Sequence, residues 1–536
     1  MSTSTRWTPP QDISRQEQRL LARMARVRKL FGFLRLHRHE LFDDAFQAEL
    51  ESMYRSSGSG RVPIPPALLA MAMFIQGYLG VSDAEMIELT VVDLRVQMVL
   101  GCIGAVEPPF AQGTLQAFRE RMIFADMDRR LLERTVELAK RTNEFDPKKL
   151  PRTLRVAMDS SPLEGAARVE DTFNLLGHAG RKVAECVAEL LKWPFERICR
   201  EAGIPLLLAS SLKAGLDIDW SEPREKAQAI KTVAAQLECL RTWIREHLAE
   251  EMAKPLLKEP VETLDQILSQ NLEPDPEGGG QKIRKGVAPD RRVSIEDPQM
   301  RHGRKSKSKR FNGYKRHIAS DMDSGLIIAC AVTAANRPEE EAAPLLRADI
   351  ALQQLTIGEL YIDRGYVNSE VVDEVLARQG TIICKPWNSP NGKLFRKNEF
   401  ERNLREKTIT CPAGQTQSFE LGRVVEFDAE ICDECPVRTK CTAAEHGNGR
   451  TVTIAENEAL QQRLRKLQTS PAGRRKLRER TGVEHHLAHL SQRQGNRARY
   501  KGIRKNTFDV RRASAIQNLE AAHRQERAVA YLRKAG

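Results

Sequence analysis

Residues 153–161, TLRVAMDSS, carry the reading from which the fold follows. The run is apolar and β-branched as far as Asp159, then leaves through Ser-Ser-Pro, which predicts a strand ending in a carboxylate. Residues about 180–272 return to helical spacing in RKVAECVAELLKWPFERICREAG and REKAQAIKTVAAQLECLRTWIREHLAEEM, and the linker PDPEGGGQKIRKG follows. YKRHIASDM and GLIIACAVTAAN then read as two strands joined at DMDSG. Next come a helix in RPEEEAAPLLRADIALQQL, a strand in IGELYIDRGY that ends in Asp363, a helix at 369–378 and a strand in GTIICKPW. Strands alternating with helices after a hairpin-like pair predict a mixed α/β sheet, with residues 180–290 as a helical insertion.

Residues 1–150 read as helices. Leu20, Leu21, Met24, Val27, Leu30 and Leu34 recur at helical spacing, interleaved with Arg19, Arg23, Arg26, Arg28 and Lys29. The loop SSGSGRVPIPP (56–66) breaks this pattern, and Pro66 is placed to open the next helix. Ser82 and Glu85 have the spacing of a capping box, and Thr114 reads as an N-cap. An arginine-rich helical face suits a DNA-binding domain over 1–150, and equally a solvated face of a packing module.

The chain has 536 residues, 41% of them hydrophobic, enough for two to four domains at ~100–200 residues each. With no apolar stretch of about 18 residues and no apolar segment near the start, neither a membrane span nor a secretory signal is expected, and a cytoplasmic protein is. A net charge of +13 favours a polyanionic partner, nucleic acid above all. Aromatics are only 5%, which argues against a binder built from stacking platforms. Residues 291–317 concentrate Lys and Arg with Gly and Ser, and read as a flexible phosphate-contacting loop or a charged linker.

Cys411, Cys432, Cys435 and Cys441 follow the spacing C-x20-C-x2-C-x5-C. The two-residue knuckle suits tetrahedral zinc, and the other two cysteines would close a structural site of four thiolates. Residues 390–455 would then be a zinc-ribbon-like insertion, the metal stapling a segment with little apolar content. Four free cysteines in a loop-rich excursion is the alternative. Cys102, Cys186, Cys199, Cys239, Cys330 and Cys384 have apolar neighbours and are expected to be buried.

Asp159, Asp363 and Glu484, the last in the helical run RKLRERTGVEHHLAHL, are the candidate catalytic acids. Carboxylates at strand mouths, met by one from a helix, form a cage of hard oxygen ligands that suits Mg²⁺, and paired Mg²⁺ ions suit phosphodiester chemistry. Singly, Asp159 and Asp363 also read as turn residues, and Glu484 as a surface partner of Arg480. His485 and His489 share an i, i+4 spacing, but the order of a metalloprotease motif is missing. Trp387 reads as a core residue or as a stacking platform for an unpaired base.

Taken together, these motifs resemble the bacterial DDE-class insertion-sequence transposases, within the wider insertion-sequence 4/5 group and nearest its 1182-type branch. RVPIPPALLAMAMF, SDAEM, DLRVQMVLG and GTLQAFRERM resemble the family's N-terminal helical domain. MDSSPLEGAARVEDTFNLL, DPQMRHGRKSKSKRFNGYKRHIASD and DRGY resemble its first-acid, basic and second-acid segments. CPAG with CDECPVRTKC resembles its cysteine-rich insertion, and GNRARYKGIRKNTFDVRRASAIQNL its C-terminal end. The resemblance implies a ribonuclease H-like catalytic domain over 151–536, two Mg²⁺ (or Mn²⁺) ions on Asp159, Asp363 and Glu484, and strand cleavage and transfer. It also implies double-stranded DNA with terminal inverted repeats and target DNA as partners, a homodimer on DNA, and a nucleoid-associated protein of the bacterial cytoplasm. Phosphate contacts are expected from Arg304, Lys305, Lys307, Lys309, Arg310, Lys315, Arg480, Arg497, Arg499, Lys501 and Arg504. In the group's signature Y-x2-R-x3-E-x6-K, Arg480 and Glu484 match, whereas Leu477 and Ser491 stand in the Tyr and Lys positions. A DNA-binding protein without activity and a two-metal nuclease are the alternative functions.

Overall fold

Six strands make the main sheet: β1 (Thr153–Glu164), β2 (Arg301–Arg304), β3 (Arg310–Asp321), β4 (Ile327–Ala334), β5 (Thr356–Tyr361) and β6 (Thr381–Ile383). The computed structural model describes residues 5–24, 29–54, 62–142, 153–306, 308–388 and 391–535. Arg26, Val27, Arg28, the SSGSGR part of the first loop and Lys307 lie outside them. β1 is central, antiparallel to β3 on one side and parallel to β5 on the other. β6 extends the parallel edge. β2 and β4 pair in succession along the far side of β3. The sheet is therefore mixed, as the alternation predicts.

Two expectations about the sheet change. β1 does not end at Asp159 but runs on to Glu164, because β3 continues beside it: Asp159 faces Ile318 and Glu164 faces Gly313. β5, by contrast, has its last pairing at Tyr361, opposite Ala157. Pro162 fits the strand there, since β5 no longer flanks it to require its missing N–H. The basic segment 291–317 is also not a flexible loop. Its second half is the β2–β3 hairpin, in which Arg316 and His317 are fully buried.

Before β1, helices fill the described residues from Arg15 to Thr142, among them α1 (Pro66–Leu79) and α2 (Met127–Thr142). Pro66 opens α1 as predicted. Ser82 caps the following helix by accepting from the Glu85 N–H at 3.2 Å. Thr114 is not an N-cap: that helix begins at Gln112, and Thr114 donates its own N–H to the Ala111 carbonyl in the first turn. Between β1 and β2 the insertion holds α3 (Thr172–Leu191), α4 (Pro223–His247) and α5 (Pro255–Asn271), starting somewhat earlier than expected. α6 (Ala343–Leu352) and α7 (Glu370–Ala377) alternate with the later strands, and α8 (Thr481–Gln494) and α9 (Ile503–Ala535) close the chain.

Among the described residues there are three apolar cores. The largest joins Phe31, Phe74 and Leu131 of the N-terminal helices to Val156, Ile327 and Leu360 of the sheet and to Val483, Phe508 and Leu519. The helical insertion has its own core around Leu176, Val183, Ile230 and Leu264. The cysteine-rich insertion, made of short strands, has a third around Phe400, Ile409, Phe427 and Val452. Among the remaining cysteines, Cys199, Cys330 and Cys384 are buried as expected, but Cys239 is exposed and Cys102 and Cys186 are half-buried. Trp387 is not a core residue, being 45% exposed. No single helix among the described residues is long and apolar enough to cross a membrane.

One glycine holds β1 and β3 together beyond Asp159. Gly313 has φ +147°, and a Cβ there would lie 2.4 Å from the Leu163 carbonyl oxygen and the Gly165 nitrogen, both backbone atoms that cannot yield. Gly313→Ala is expected to cost about 3 kcal/mol of stability, from overpacking plus a strained backbone. Urea unfolding checks this, and an unchanged midpoint would contradict it.

Candidate active site

The register of β1 and β5 brings the first two acids together. Ala157 pairs with Tyr361, and two positions further along each parallel chain stand Asp159 and Asp363. Residues two apart in extended chain share a face, and Asp363 is still extended at φ −86°, ψ 167° before the short turn Arg364–Tyr366. Glu484, in the first turn of α8, comes to the same place from the C-terminal part of the chain. All three line one cavity of about 440 Å³, together with Glu339, Arg304, Lys305 and Lys315.

Arg480 ties two of the acids. Its guanidinium donates to Asp159 Oδ2 at 3.1 Å and to Glu484 Oε1 at 2.7 Å. The i, i+4 pair with Glu484 is thus real, and it is also one arm of a bridge to the sheet. Burial raises the Asp159 carboxyl to about 6. Arg480 and the Ser160 N–H pull it back only in part, while the charges of Asp363 and Glu339 push it further up. An acid held so far above its ordinary value by burial and like charge marks a place where negative charge is concentrated without full compensation.

Several residues that shape the site escape a reading of the sequence. Arg316, 1% exposed, donates to Ser161 Oγ (2.7 Å), Gln494 Oε1 (2.7 Å), the Gly495 carbonyl (3.0 Å) and Ser491 Oγ (2.6 Å). Burial lowers its pKa to about 10. Ser491 stands where the signature has Lys, so a cation reaches that position from β3 rather than from α8. His317, held neutral by burial at about 3, contacts the Tyr366 hydroxyl through Nδ1 and Thr333 Oγ1 through Nε2. Glu339 carries no signal beyond being one of three consecutive glutamates.

The candidate DNA contacts divide. Arg304, Lys305 and Lys315 border the acid cavity, and Lys309 and Arg310 are exposed on the same hairpin. Arg499 is exposed as well. Arg497 spends its guanidinium on the Gly165 and Ala166 carbonyls, Lys501 pairs with Glu296, and Arg504 pairs with the buried Asp128. Lys307 lies outside the described residues.

Cys411, Cys432, Cys435 and Cys441 line a second cavity. Burial raises the Cys441 thiol, and the other three cysteines act on it electrostatically in the same direction. Among the described residues, no three His, Cys, Asp or Glu side chains close on a common point tightly enough to hold an ion as they stand. The donor chemistry nonetheless fits: four thiols around one space suit zinc, and clustered carboxylates suit a hard divalent cation.

Residues 410–523 match a family model described as a transposase DDE domain, and residues 25–121 match one described as a transposase domain (DUF772). No curated protein and no solved structure matches the chain. The two matches support an insertion-sequence transposase, an enzyme acting on DNA, and the first spans both α8 with Glu484 and most of the cysteine-rich insertion. DDE domains in general use divalent metal ions.

The raised Asp159 pKa has a thermodynamic consequence. Its folded value, about 6, lies above the ordinary 3.8, so folding takes up a proton between those pH values. The stability from the protonated form is full at low pH and lost as pH rises through about 6. Asp159→Asn mimics that neutral form. Without divalent metal it is expected to stabilise the protein by about 2 kcal/mol at pH 8 and hardly at all at pH 4. Thermal melts at the two pH values test this, and a lower melting temperature for the variant at pH 8 would show that the Arg480 pair outweighs burial.

Proposed function

We propose that the protein is a DDE transposase that cleaves the ends of its element and joins the freed 3′-hydroxyl to target DNA, on a ribonuclease H-like sheet. The observation that carries this reading is the meeting of Asp159, Asp363 and Glu484 in one cavity with cationic residues on its border. Asp159, Asp363 and Glu484 would hold two Mg²⁺ or Mn²⁺ ions. Such ions, when bound, activate the attacking oxygen and stabilise the leaving one. Arg480 orients Glu484 and Asp159 before DNA arrives, and is placed to turn toward a backbone phosphate once cations satisfy those carboxylates. Arg304, Lys305 and Lys315 would bind the phosphates that flank the scissile bond, with Lys309 and Arg310 extending the track along the hairpin. This term falls steeply as salt rises. Trp387, exposed after β6, is available to stack on an unpaired terminal base. Handling two ends and a target together calls for a homodimer on DNA bearing terminal inverted repeats, with the N-terminal helices contributing to end binding. We place this activity in the bacterial nucleoid.

The test uses DNA carrying the element's terminal repeats, with Mg²⁺ or Mn²⁺. Wild type is expected to nick the ends and join them to a second DNA. Asp159→Asn, Asp363→Asn and Glu484→Gln are each expected to lose cleavage while retaining DNA binding. Full activity in any one would remove that residue from the site. Cleavage without joining would instead favour a two-metal nuclease.

We assign a structural zinc to Cys411, Cys432, Cys435 and Cys441, where a closed tetrahedral site would staple the small third core. Metal analysis of the purified protein is expected to find about one zinc per chain. A strong chelator should lower the melting temperature, and Cys432→Ser should abolish both effects. Protein free of zinc and indifferent to the chelator would refute the assignment.

A further inference from the structure

Glu339 is the acid in the cavity that no motif predicts. It opens the short turn Glu339–Ala342, beyond residues 335–338 that follow β4, and so reaches the cavity from a segment apart from those carrying the other acids. One carboxylate oxygen accepts from Ser160 Oγ at 2.6 Å, next to Asp159. The other lies against the Asp363 turn: a Cβ on Gly365 would stand 2.3 Å from Glu339 Oε2. The same carboxylate therefore touches both segments that carry the strand acids. Its neighbour Glu341 pairs with Arg337, but among the described residues no Lys or Arg pairs with Glu339. Its charge acts on Asp159 and on the buried Tyr366 hydroxyl.

Four carboxylates line the cavity, with Arg304, Lys305 and Lys315 on its border. Among the described residues, the guanidinium that pairs with these acids, Arg480, is shared by two that exclude Glu339. Concentrated, partly buried carboxylates must either take up protons or gain a cation. The Arg480 bridge shows that a positive group fits between two of these acids, and Glu339 lines the same cavity.

We propose that Glu339 is a fourth carboxylate of the divalent-cation cage, a direct ligand that also locks the Asp159 strand to the Asp363 turn. This rests on the reading of the cavity as a divalent-metal site. The set is then two aspartates from adjacent parallel chains, one glutamate from α8 and one from the turn after β4. The glycine at 365 is the space the fourth carboxylate needs.

The experiment is Mn²⁺ titration of the full-length protein without DNA, with free Mn²⁺ read by electron paramagnetic resonance. Glu339→Gln keeps the shape and a partner for Ser160 but removes the charge. It is expected to weaken Mn²⁺ binding by about 10–100-fold, with the melting temperature of the metal-free protein held or raised. Wild-type affinity in Glu339→Gln would overturn the proposal. Asp159→Asn and Asp363→Asn run alongside. If they too bind Mn²⁺ as wild type does, the metal site itself is wrong, an outcome distinct from failure of Glu339 alone. Should Glu339→Gln fail to fold, Gly365→Ala displaces the same carboxylate by contact, and unchanged Mn²⁺ affinity there overturns the proposal equally.

Discussion

The geometry of the cavity depends on one buried guanidinium. Arg316 crosses from β3 over its strand partner Ser161 and fastens the end of α8 through Ser491, Gln494 and Gly495. Burying that charge costs several kcal/mol in desolvation, which only a full set of good acceptors offsets; hydrogen bonds to a charged group, at about 1.5–3 kcal/mol each, supply it. Ser161 shares a strand face with Asp159, so the clamp and the acid sit on the same side of β1. Held at its far end by Arg316 and at its near end by Arg480, α8 has little freedom to carry Glu484 elsewhere. The third acid is thus positioned by two arginines, one on each side of the sheet–helix seam.

How much of this could be read from the chain follows from how local each cause is. Strand and helix periodicity is local, so the alternation, the β3–β4 hairpin and the Asp363 turn were legible. The apolar run of β1 stops at Asp159 because its residues there begin to face a polar cavity. It does not stop because pairing ends, and so the strand reads as shorter than it is. The β2–β3 hairpin reads as a loop for a related reason: its exposed positions are Lys, Arg and Ser, and only pairing with β1 reveals the strand. Arg316 and Glu339 act through Ser161, Ser491, Ser160 and Gly365, partners that no spacing rule connects to them. Trp387 reads as internal from its strand neighbours, but the strand has already ended before it.

The long separations between the acids have a simple physical basis. The helical insertion and the cysteine-rich insertion each bury their own apolar residues, around Leu176 and Leu264 in one and Phe400 and Phe427 in the other. A module that satisfies its own core makes few demands on the sheet beyond the two points where it leaves and returns. The N-terminal helices are different. Their apolar residues are continuous with those of the sheet, so they are part of the same packed body rather than an appendage to it.

That continuity governs the order of assembly during synthesis. α9 lies against α1, α2 and β4, and its Phe508, Ile516 and Leu519 complete the core that those elements begin. While the ribosome is still making the residues that precede α9, the faces of α1 and α2 that await it have no partner. The two insertions can fold as they emerge, each around its own core. The main body cannot, because α9 must pair with α1 and α2, several hundred residues earlier in the chain, and such distant pairings form late. The nascent chain therefore carries a waiting apolar surface until α9 has emerged and docks, giving the site its final shape.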